Sequence, residues 1–308
     1  MAYSEHNTCW LSYPWSIGQA AALACGLEAS APKVGNVHPQ ANFADMQFTD
    51  FLASALAIQP VFDRAGSVRV GQLVLTATHA TRQAVRMNTN LGTLLLLAPL
   101  ATAVATCRRR SSQPLCADLS QPSDLPITRA QLRSAVAHTL DELDANDSAA
   151  IYEAILLANP GGLGTQTTND VSGKPPANLR SAMAQAASND AVARQYINNF
   201  ADVFDMLVPW IEDAMNEPPN LLQAIAQVQL RWLAREPDGL IIRKSGMTIA
   251  TQVQSMAAQA MATPPDVAAV ASLDRFLRID CKHRNPGTTA DLIAAALFVW
   301  LISRSPVH

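Results

Sequence analysis

Apolar residues recur at helical spacing along most of the chain. In residues 16–28, Ile17, Ala20, Ala21 and Ala24 fall on one face of a helix. The same spacing predicts further helices over residues 44–59, 68–86, 91–107, 128–143, 149–158, 179–187, 190–216, 220–235, 245–261, 266–279 and 291–304. No strands with alternating apolar and polar residues are found between regularly spaced turns, so a parallel α/β sheet is not expected. The pattern therefore predicts an all-α fold.

Two segments are apolar enough to raise the question of a membrane span. Residues 91–107 include Gly92, Thr93 and Pro99 and fall short of the roughly 20 strongly apolar residues that a span requires. Residues 292–303 are shorter still, and we expect both segments to be helices in the middle of a bundle. With no internal repeat and no long linker, the sequence predicts a single all-helical domain over residues 1–308. Its expected features are a central buried apolar helix and a polar cavity between helices.

The composition narrows the class of protein. Hydrophobic residues make up 49% of the chain and charged residues only 15%, which is typical of helices with wide buried faces. The net charge of −3 disfavours general nucleic-acid binding, which needs a basic surface. The cysteines are scattered without a C-x-x-C pair, so neither a disulfide framework nor a zinc site is predicted. The N-terminus lacks the basic start and apolar core of a signal peptide, and we expect a cytoplasmic protein.

Five polar segments, which we call the polar islands, lie at predicted helix boundaries. In chain order they read APKVGNVHP, NTNLGT, NPGGLGTQTTNDV, DGLIIRKSG and NPGTTAD. Gly, Pro and Asn are also common in ordinary turns, so a single island indicates little. In the last island, Thr288 or Thr289 could simply cap the helix that follows. Alternatively, hydroxyl groups and an acid at a helix N-terminus could receive a phosphate and its metal ion.

Most residues of the other islands also permit two interpretations. Lys33 is either a solvated loop lysine or a phosphate contact, and Asn88 and Asn90 either cap the next helix or bind substrate. Arg243 and Lys244 would ordinarily be a solvated pair, but they follow an apolar run and precede a glycine, which favours a position in a cleft. Three glycines of the third island suit a helix C-cap as well as a phosphate cradle; these are Gly161, Gly162 and Gly164.

Familiar catalytic signatures are missing from the sequence. There is no phosphate-binding G-x-x-x-x-G-K-[ST] loop, no dinucleotide-binding G-x-G-x-x-G, no G-x-S-x-G nucleophile elbow and no H-E-x-x-H. Rossmann enzymes, P-loop kinases, α/β hydrolases and zinc proteases are therefore disfavoured. What remains is a helical cavity lined by Asp, Asn, Thr, Lys and Arg, and such a lining suits a polyanion with a hard metal ion.

Taken in order, the islands resemble the triphosphoribosyl-dephospho-CoA synthase family. Members carry a P-K-P-G-L-V-like segment, an acid in a D-M pair, an N-T-containing glycine segment, a Gly-rich loop, a basic glycine segment and N-P-G-T-x-A-D before an apolar helix. This chain has APKVGNV at residues 31–37, ADM at 44–46, NTNLGTLLLLAPL at 88–100, NPGGLG at 159–164, DGLIIRKSG at 238–246 and NPGTTADL at 285–292. Val34 stands where the first motif has its second proline. The resemblance covers nearly the whole chain, and the last motif is the most specific.

The resemblance implies an all-helical enzyme that joins dephospho-CoA to the ribose of ATP with loss of adenine, for prosthetic-group biosynthesis. It also implies Mg²⁺, since the triphosphate stays attached to the transferred sugar. The candidate catalytic and metal-binding acids are Asp45, Asp170 and Asp291, with base and metal roles left open. The candidate residues for binding the nucleotide are Lys33, Gly35, Asn88, Asn90, Gly92, Gly161, Gly162, Gly164, Arg243, Lys244, Asn285, Thr288 and Thr289.

Two alternatives stay open on the sequence. The same fold could act on another acceptor, for example in pterin or other cofactor biosynthesis, or the protein could be a non-catalytic nucleotide-binding or assembly protein. The acids in FADM and TTADL favour an enzyme. We expect small-molecule partners, namely ATP and dephospho-CoA or another acceptor, with neither nucleic acid nor membrane, and a homodimer is left open. We also predict that Thr288, Thr289 and Asp291 face the same cavity as Asn88 and the glycine loop at 161–164.

Overall fold

The structure is a computed structural model that describes residues 13–111, 127–158, 175–215, 220–261, 266–280 and 283–303. These residues form fourteen α-helices and no strand beyond isolated β-bridges, so the all-α prediction is confirmed. The helices are α1 (Ile17–Ser30), α2 (Phe48–Phe62), α3 (Val70–Val85), α4 (Leu91–Ser111), α5 (Arg129–Asp141), α6 (Ala145–Ala158), α7 (Leu179–Ala186), α8 (Ala191–Asn198), α9 (Val208–Met215), α10 (Leu221–Arg235), α11 (Gly239–Ser245), α12 (Met247–Ala260), α13 (Val267–Arg278) and α14 (Gly287–Ile302).

Side-chain caps fix where many of these helices begin. Ser16 and Thr128 form capping boxes at the starts of α1 and α5. At five further helices an acid or amide side chain accepts from first-turn amides; these caps are Asn178, Asp190, Asn220, Asp238 and Asp266. Of these seven capped helices, all but α11 were predicted, and their predicted starts lie within one residue of the observed ones.

Helix α14 is the central buried element. Its residues are buried without interruption from Leu292 to Ile302, and it packs against α1, α4, α8, α9, α10 and α11. A helix that is apolar on all sides belongs in the middle of a fold, because no face of it favours water. The predicted central apolar helix is therefore confirmed. A smaller hydrophobic cluster joins α10, α11, α12 and α13.

Helix α4 is the second helix of the core. Over Leu91–Arg109 it is long and apolar enough to cross a membrane, but 72% of its apolar 18-residue stretch is buried inside the fold. Core helices of soluble proteins share this length and composition, so the segment supports a membrane span only weakly. Pro99 lies inside α4 and deprives the Leu95 carbonyl of its helical donor. The hydroxyl group of Tyr196 on α8 donates to that carbonyl at 2.7 Å, so a neighbouring helix supplies the missing bond.

The predicted end of α2 before Pro60 is wrong. Helix α2 continues to Phe62 with Pro60 inside it. The carbonyl left without a helical donor belongs to Leu56, whose side chain is 67% exposed. On this surface, water can replace the missing hydrogen bond, so the proline costs less than it would in a buried helix.

The single helix predicted over residues 190–216 is also wrong. Helix α8 ends where Asn199 and Phe200 adopt positive φ angles of 53° and 60°. A π-helical turn over Val203–Leu207 then leads into α9. Phe200 is fully buried, so packing imposes a backbone conformation that a bulky residue rarely adopts. Local helical periodicity could not reveal this break.

Two further corrections concern the fourth and fifth polar islands. Most of the DGLIIRKSG island, expected to separate helices, is itself the short helix α11, which ends at Ser245 and is followed by Gly246 with a φ of 85°. Helix α14 begins at Gly287 instead of Asp291, with Pro286 at its N-cap. Asp291 therefore lies one turn inside the helix, where it cannot serve as its cap.

Candidate active site

A cavity of about 880 Å³ lies where four of the five polar islands meet. The first island contributes Asn36, the second contributes residues 88–93, and the fourth and fifth contribute side chains of α11 and α14. The third island, residues 159–171, lies outside the described residues. Ligand-binding cavities for drug-sized molecules fall in this range of volume, so the cavity can admit a nucleotide.

Asp291 is the contact between the second and fifth islands. Its Oδ1 accepts a hydrogen bond from Thr93 Oγ1 at 2.6 Å. A methyl group added to Gly92 would lie only 2.0 Å from Asp291 Oδ2, so only glycine allows the carboxyl group this position against α4. Thr93, 198 positions earlier in the sequence, thus fixes the Asp291 side chain on the cavity wall.

The environment of Asp291 favours its protonated form. Burial raises the pKa of the Asp291 carboxyl group to about 8. The hydrogen bond from Thr93 lowers this pKa, whereas the negative charges of Glu28 and Asp238 raise it further. The carboxyl group therefore holds a proton at neutral pH in this cavity and can donate it to a ligand.

Asp238 ties together the N-termini of two helices that line the cavity. Its Oδ1 accepts from the amides of Leu240 and Ile241 in α11, at 2.9 and 3.1 Å. Its Oδ2 accepts from both the amide and the hydroxyl group of Thr289 in α14, at 2.8 and 2.7 Å. Burial raises the pKa of this 2% exposed carboxyl group, while the four hydrogen bonds lower it. One carboxyl group thereby sets the spacing of α11 and α14.

A buried glutamine on α10 holds the first island in place. Gln229 accepts from the Val34 amide at 2.9 Å and donates to the Val34 carbonyl at 2.8 Å and to Asn36 Oδ1 at 2.7 Å. Asn36 Nδ2 in turn donates to Asn285 Oδ1 at 2.5 Å. Gln229 is fully buried, and all of its polar atoms are engaged in this network. The first and fifth islands are therefore joined side chain to side chain.

Glu28 on α1 brings a further carboxylate to the cavity wall. Its Oε1 forms an ion pair with Lys33 Nζ at 2.9 Å, and the Lys33 ammonium group also donates to the Glu28 carbonyl. The Lys33 side chain is completely buried, whereas Glu28 retains 11% exposure and lines the cavity. Burial raises the pKa of the neighbouring Cys25 thiol, and the charges of Glu28 and Asp291 raise it further. The carboxyl groups of Glu28 and Asp291 therefore both lie close enough to Cys25 to influence it.

Basic side chains supply positive charge to the same cavity. Arg82 and Arg86 lie at the C-terminal end of α3, and Arg243 and Lys244 lie at the end of α11. Arg243 is in loose contact with Asp190, at 3.4 Å. Several cations beside a cavity of this size can hold a polyphosphate, because guanidinium and ammonium groups bind phosphate oxygens strongly.

The structure brings together most of the residues predicted from the sequence. Those that line the cavity are Asp45, Asn88, Asn90, Gly92, Arg243, Lys244, Asn285, Thr288 and Asp291. Lys33, Gly35 and Thr289 do not line it. Gly161, Gly162, Gly164 and Asp170 lie outside the described residues.

Each of the three that do not line the cavity has a structural contact. Lys33 neutralises Glu28, and Gly35 donates its amide to Asp274 at 2.8 Å with a φ of 69°. Thr289 donates to Asp238, so the expectation that it faces the cavity with Asp291 is wrong. Its first-turn amide is already engaged, which also removes it as a phosphate donor.

The described residues do not form a preassembled metal cage. No group of three or more His, Cys, Asp or Glu side chains within the described ranges is placed to hold a metal ion. Asp45 lines the cavity and is the candidate ligand, whereas Asp291, which also lines it, holds a proton at neutral pH. Mg²⁺ that arrives with a nucleotide needs only one or two protein carboxylates, since phosphates and water complete its shell. The described lining therefore fits a metal that enters with its substrate.

Several side chains of the site were not anticipated. They are Glu28, Arg82, Arg86, Thr93, Asp190 and Asp238. The sequence did contain a signal for Glu28, because this acid lies four residues after Ala24 on the apolar face of α1. An acid on a buried face needs a partner or a function. Asp238 precedes an apolar run in the way that N-caps do, but the second helix that it caps lies 51 positions away.

The family model described as CitG, ATP:dephospho-CoA triphosphoribosyl transferase, matches residues 14–307. Among solved structures, the chain is similar to a protein from Archaeoglobus fulgidus whose assignment as a triphosphoribosyl-dephospho-CoA synthase is provisional. The two are 25% identical, the similarity covers 82% of this chain and 98% of that one, and the TM-score is 0.60. Among curated proteins, none matches the chain.

Proposed function

The chain belongs to the ATP:dephospho-CoA triphosphoribosyl transferase family, and on that premise we propose that it transfers the triphosphoribosyl group of ATP to dephospho-CoA and releases adenine. Family membership makes the chain a transferase. One observation supports the site of the reaction above all others. Asp291, with its raised pKa, lies against Thr93 and Gly92 on the wall of a nucleotide-sized cavity that also carries basic side chains.

The chemistry requires an acid and a negative charge near the sugar. The bond between C1′ of the ribose and N9 of adenine breaks, and its electron pair leaves with the base. A hydroxyl oxygen of the acceptor bonds to C1′ and gives up its proton, which over the whole reaction replaces the proton that the departing adenine takes up at N9. Positive charge develops on the ribose in between, as in glycoside cleavage, and protonation of the leaving group eases departure.

Asp291 is suited to protonate the departing adenine. Because burial raises its pKa to about 8, the carboxyl group carries a proton at neutral pH and is close to the working pH in acidity. Its hydrogen bond from Thr93 fixes Oδ1, and the absence of a side chain at Gly92 leaves room for Oδ2. The proton is therefore held at a defined place on the wall.

Basic residues and a metal ion would hold the triphosphate. Arg82, Arg86, Arg243 and Lys244 line the cavity and can neutralise phosphate oxygens. Mg²⁺ would enter on the phosphates, with Asp45 on the cavity lining as its protein ligand. When bound, it would neutralise phosphate charge and orient the triphosphate.

The proposal is tested by incubating the purified protein with ATP, Mg²⁺ and dephospho-CoA. Mass analysis should detect free adenine and the triphosphoribosyl adduct only when both substrates are present, and Asp291→Asn should remove most adenine release. ATP binding without adenine release would contradict the proposal. Adenine release that depends on a different acceptor hydroxyl would keep the reaction class and change the acceptor.

A further inference from the structure

We propose that Glu28 is a catalytic carboxylate of this enzyme, whose negative charge faces the ribose and stabilises the positive charge that develops there when adenine departs. This inference rests on the proposed function and adds a residue that the sequence motifs did not suggest. Glu28 would touch the substrate, while Lys33 would act through Glu28 as a positioning residue.

The geometry leaves one oxygen of Glu28 for the cavity. Oε1 is bound to Lys33 Nζ at 2.9 Å, whereas Oε2 makes no hydrogen bond to the described residues. Lys33 is held from behind, because its ammonium group also donates to the Glu28 carbonyl and its side chain has no exposure. The carboxylate is therefore fixed at the cavity wall with its countercharge on the protein side.

A structural role alone is a weak explanation for this pair. Placing a lysine and a glutamate out of water carries a large desolvation cost, and apolar replacements of buried ion pairs are often as stable as the originals. A site that must present a fixed negative charge to a dry cavity gains from such a pair, because a preorganised charge needs no reorganisation during the reaction.

The location of Glu28 agrees with this role. Glu28 and Asp291 lie on the facing helices α1 and α14, line the same cavity and interact electrostatically with each other and with Cys25. Leaving-group protonation and charge stabilisation must act on the two ends of one glycosidic bond. Asp291 and Glu28 have separate polar partners, Thr93 and Lys33, so the cavity offers a different carboxyl group for each task.

The test compares Glu28→Gln with the double variant Glu28→Gln/Lys33→Met. Glutamine keeps the shape and removes the charge, but it leaves Lys33 buried without its countercharge. The double variant removes both charges and so restores an electrically neutral interior. We expect both variants to lower kcat for adenine release by about 10²–10³-fold, the range for loss of one preorganised electrostatic contact. The KM for ATP should stay within about threefold of the wild-type value.

A buried carboxylate away from the cavity provides the matched control. Asp147 is 2% exposed, binds Arg69 at 2.6 Å and the Gly71 amide at 2.8 Å, and does not line the cavity. Asp147→Asn should lower thermal stability and leave kcat of the folded protein within about twofold of wild type. The comparison separates loss of a buried charge from loss of a charge at the substrate.

Recovery of kcat to within about threefold of wild type in the double variant would overturn the inference, because Glu28 would then serve only to neutralise Lys33. If the double variant does not fold, Glu28→Asp replaces it: the charge is kept, so turnover should exceed that of Glu28→Gln by at least about tenfold. Equal turnover in those two variants would also overturn the inference. Absence of adenine release by the wild-type protein would instead contradict the proposed function itself.

Discussion

Replacing Asp291 by asparagine should make the protein more stable at neutral pH while it inactivates the site. Asparagine matches aspartate in shape and can still accept the hydrogen bond from Thr93 Oγ1, which is 2.6 Å long in the structure. It carries no titratable proton. The substitution thus removes the cost of ionising a carboxyl group in a buried position. It also removes the proposed proton donor.

The sign and size of the stability effect follow from the raised pKa. Below the ordinary aspartate pKa of 3.8 the carboxyl group is protonated in both states, and its contribution to stability is complete. Between that value and the folded-state pKa of about 8, the unfolded chain releases the proton and the folded chain retains it, so the free energy of unfolding falls by about 1.4 kcal/mol per pH unit. Over roughly four pH units this reaches about 6 kcal/mol.

The assay is chemical unfolding of the wild-type protein and Asp291→Asn from pH 4 to pH 9. The difference in unfolding free energy should grow in favour of the variant up to about pH 8 and then become constant. Adenine release should fall by about 10²–10⁴-fold, as for loss of a general acid. Asp266→Asn is the control, because Asp266 caps α13 at an exposed position and asparagine caps equally well. Parallel stability curves for wild type and Asp291→Asn would refute the reasoning.

Two other substitutions test the packing behind the site. Gly92→Ala places a methyl group 2.0 Å from Asp291 Oδ2, so we expect a loss of about 1–3 kcal/mol of stability and of most of the turnover. Gly26→Ala, where an added methyl group meets nothing within 4 Å, should be neutral or stabilising by up to about 1 kcal/mol, and equal effects at the two glycines would contradict the account. Tyr196→Phe leaves the buried Leu95 carbonyl without its donor and should cost about 1–3 kcal/mol in urea unfolding. Tyr152→Phe is the control. If Tyr196→Phe costs no more stability than Tyr152→Phe, the hydrogen bond from α8 does not stabilise α4.

The sequence predicted the helices well where their limits are set locally. Asp190, Asn220 and Asp266 bind amides two or three residues ahead, so pattern and boundary lie in the same short segment. The prediction failed at Phe200, where burial forces a positive φ, and at Pro60, where exposure makes a helix-breaking residue tolerable. Both outcomes depend on which side of the helix meets water, and neighbouring residues alone do not determine that.

For the candidate site, too, local patterns did not determine which residues meet in the folded protein. Motif order brought Asn88, Gly92, Asn285 and Asp291 to one cavity, although no local pattern shows that Thr93 contacts a residue 198 positions away. The surplus of polar groups in NPGTTAD suggested that all of them face a ligand. In the structure these polar groups have different roles. Thr288 and Asp291 line the cavity, and Thr289 is used to bind Asp238 from another helix.

Glu28 is a site residue that the pattern of apolar residues along α1 could have revealed. Helix α1 places Ala20, Ala21 and Ala24 in the core, and the next position on that face is an acid. An acid cannot remain there without a countercharge or hydrogen bonds, because burial of an unpaired charge is prohibitively costly. Lys33, five residues on, supplies the countercharge, so the pair is detectable within one short segment. The direction in which Glu28 points cannot be detected there, because the cavity that it lines is closed by α14, from the far end of the chain. Acids on otherwise apolar helical faces are therefore a sequence signal for a buried polar site, and the tertiary fold decides whether that site is open to a substrate.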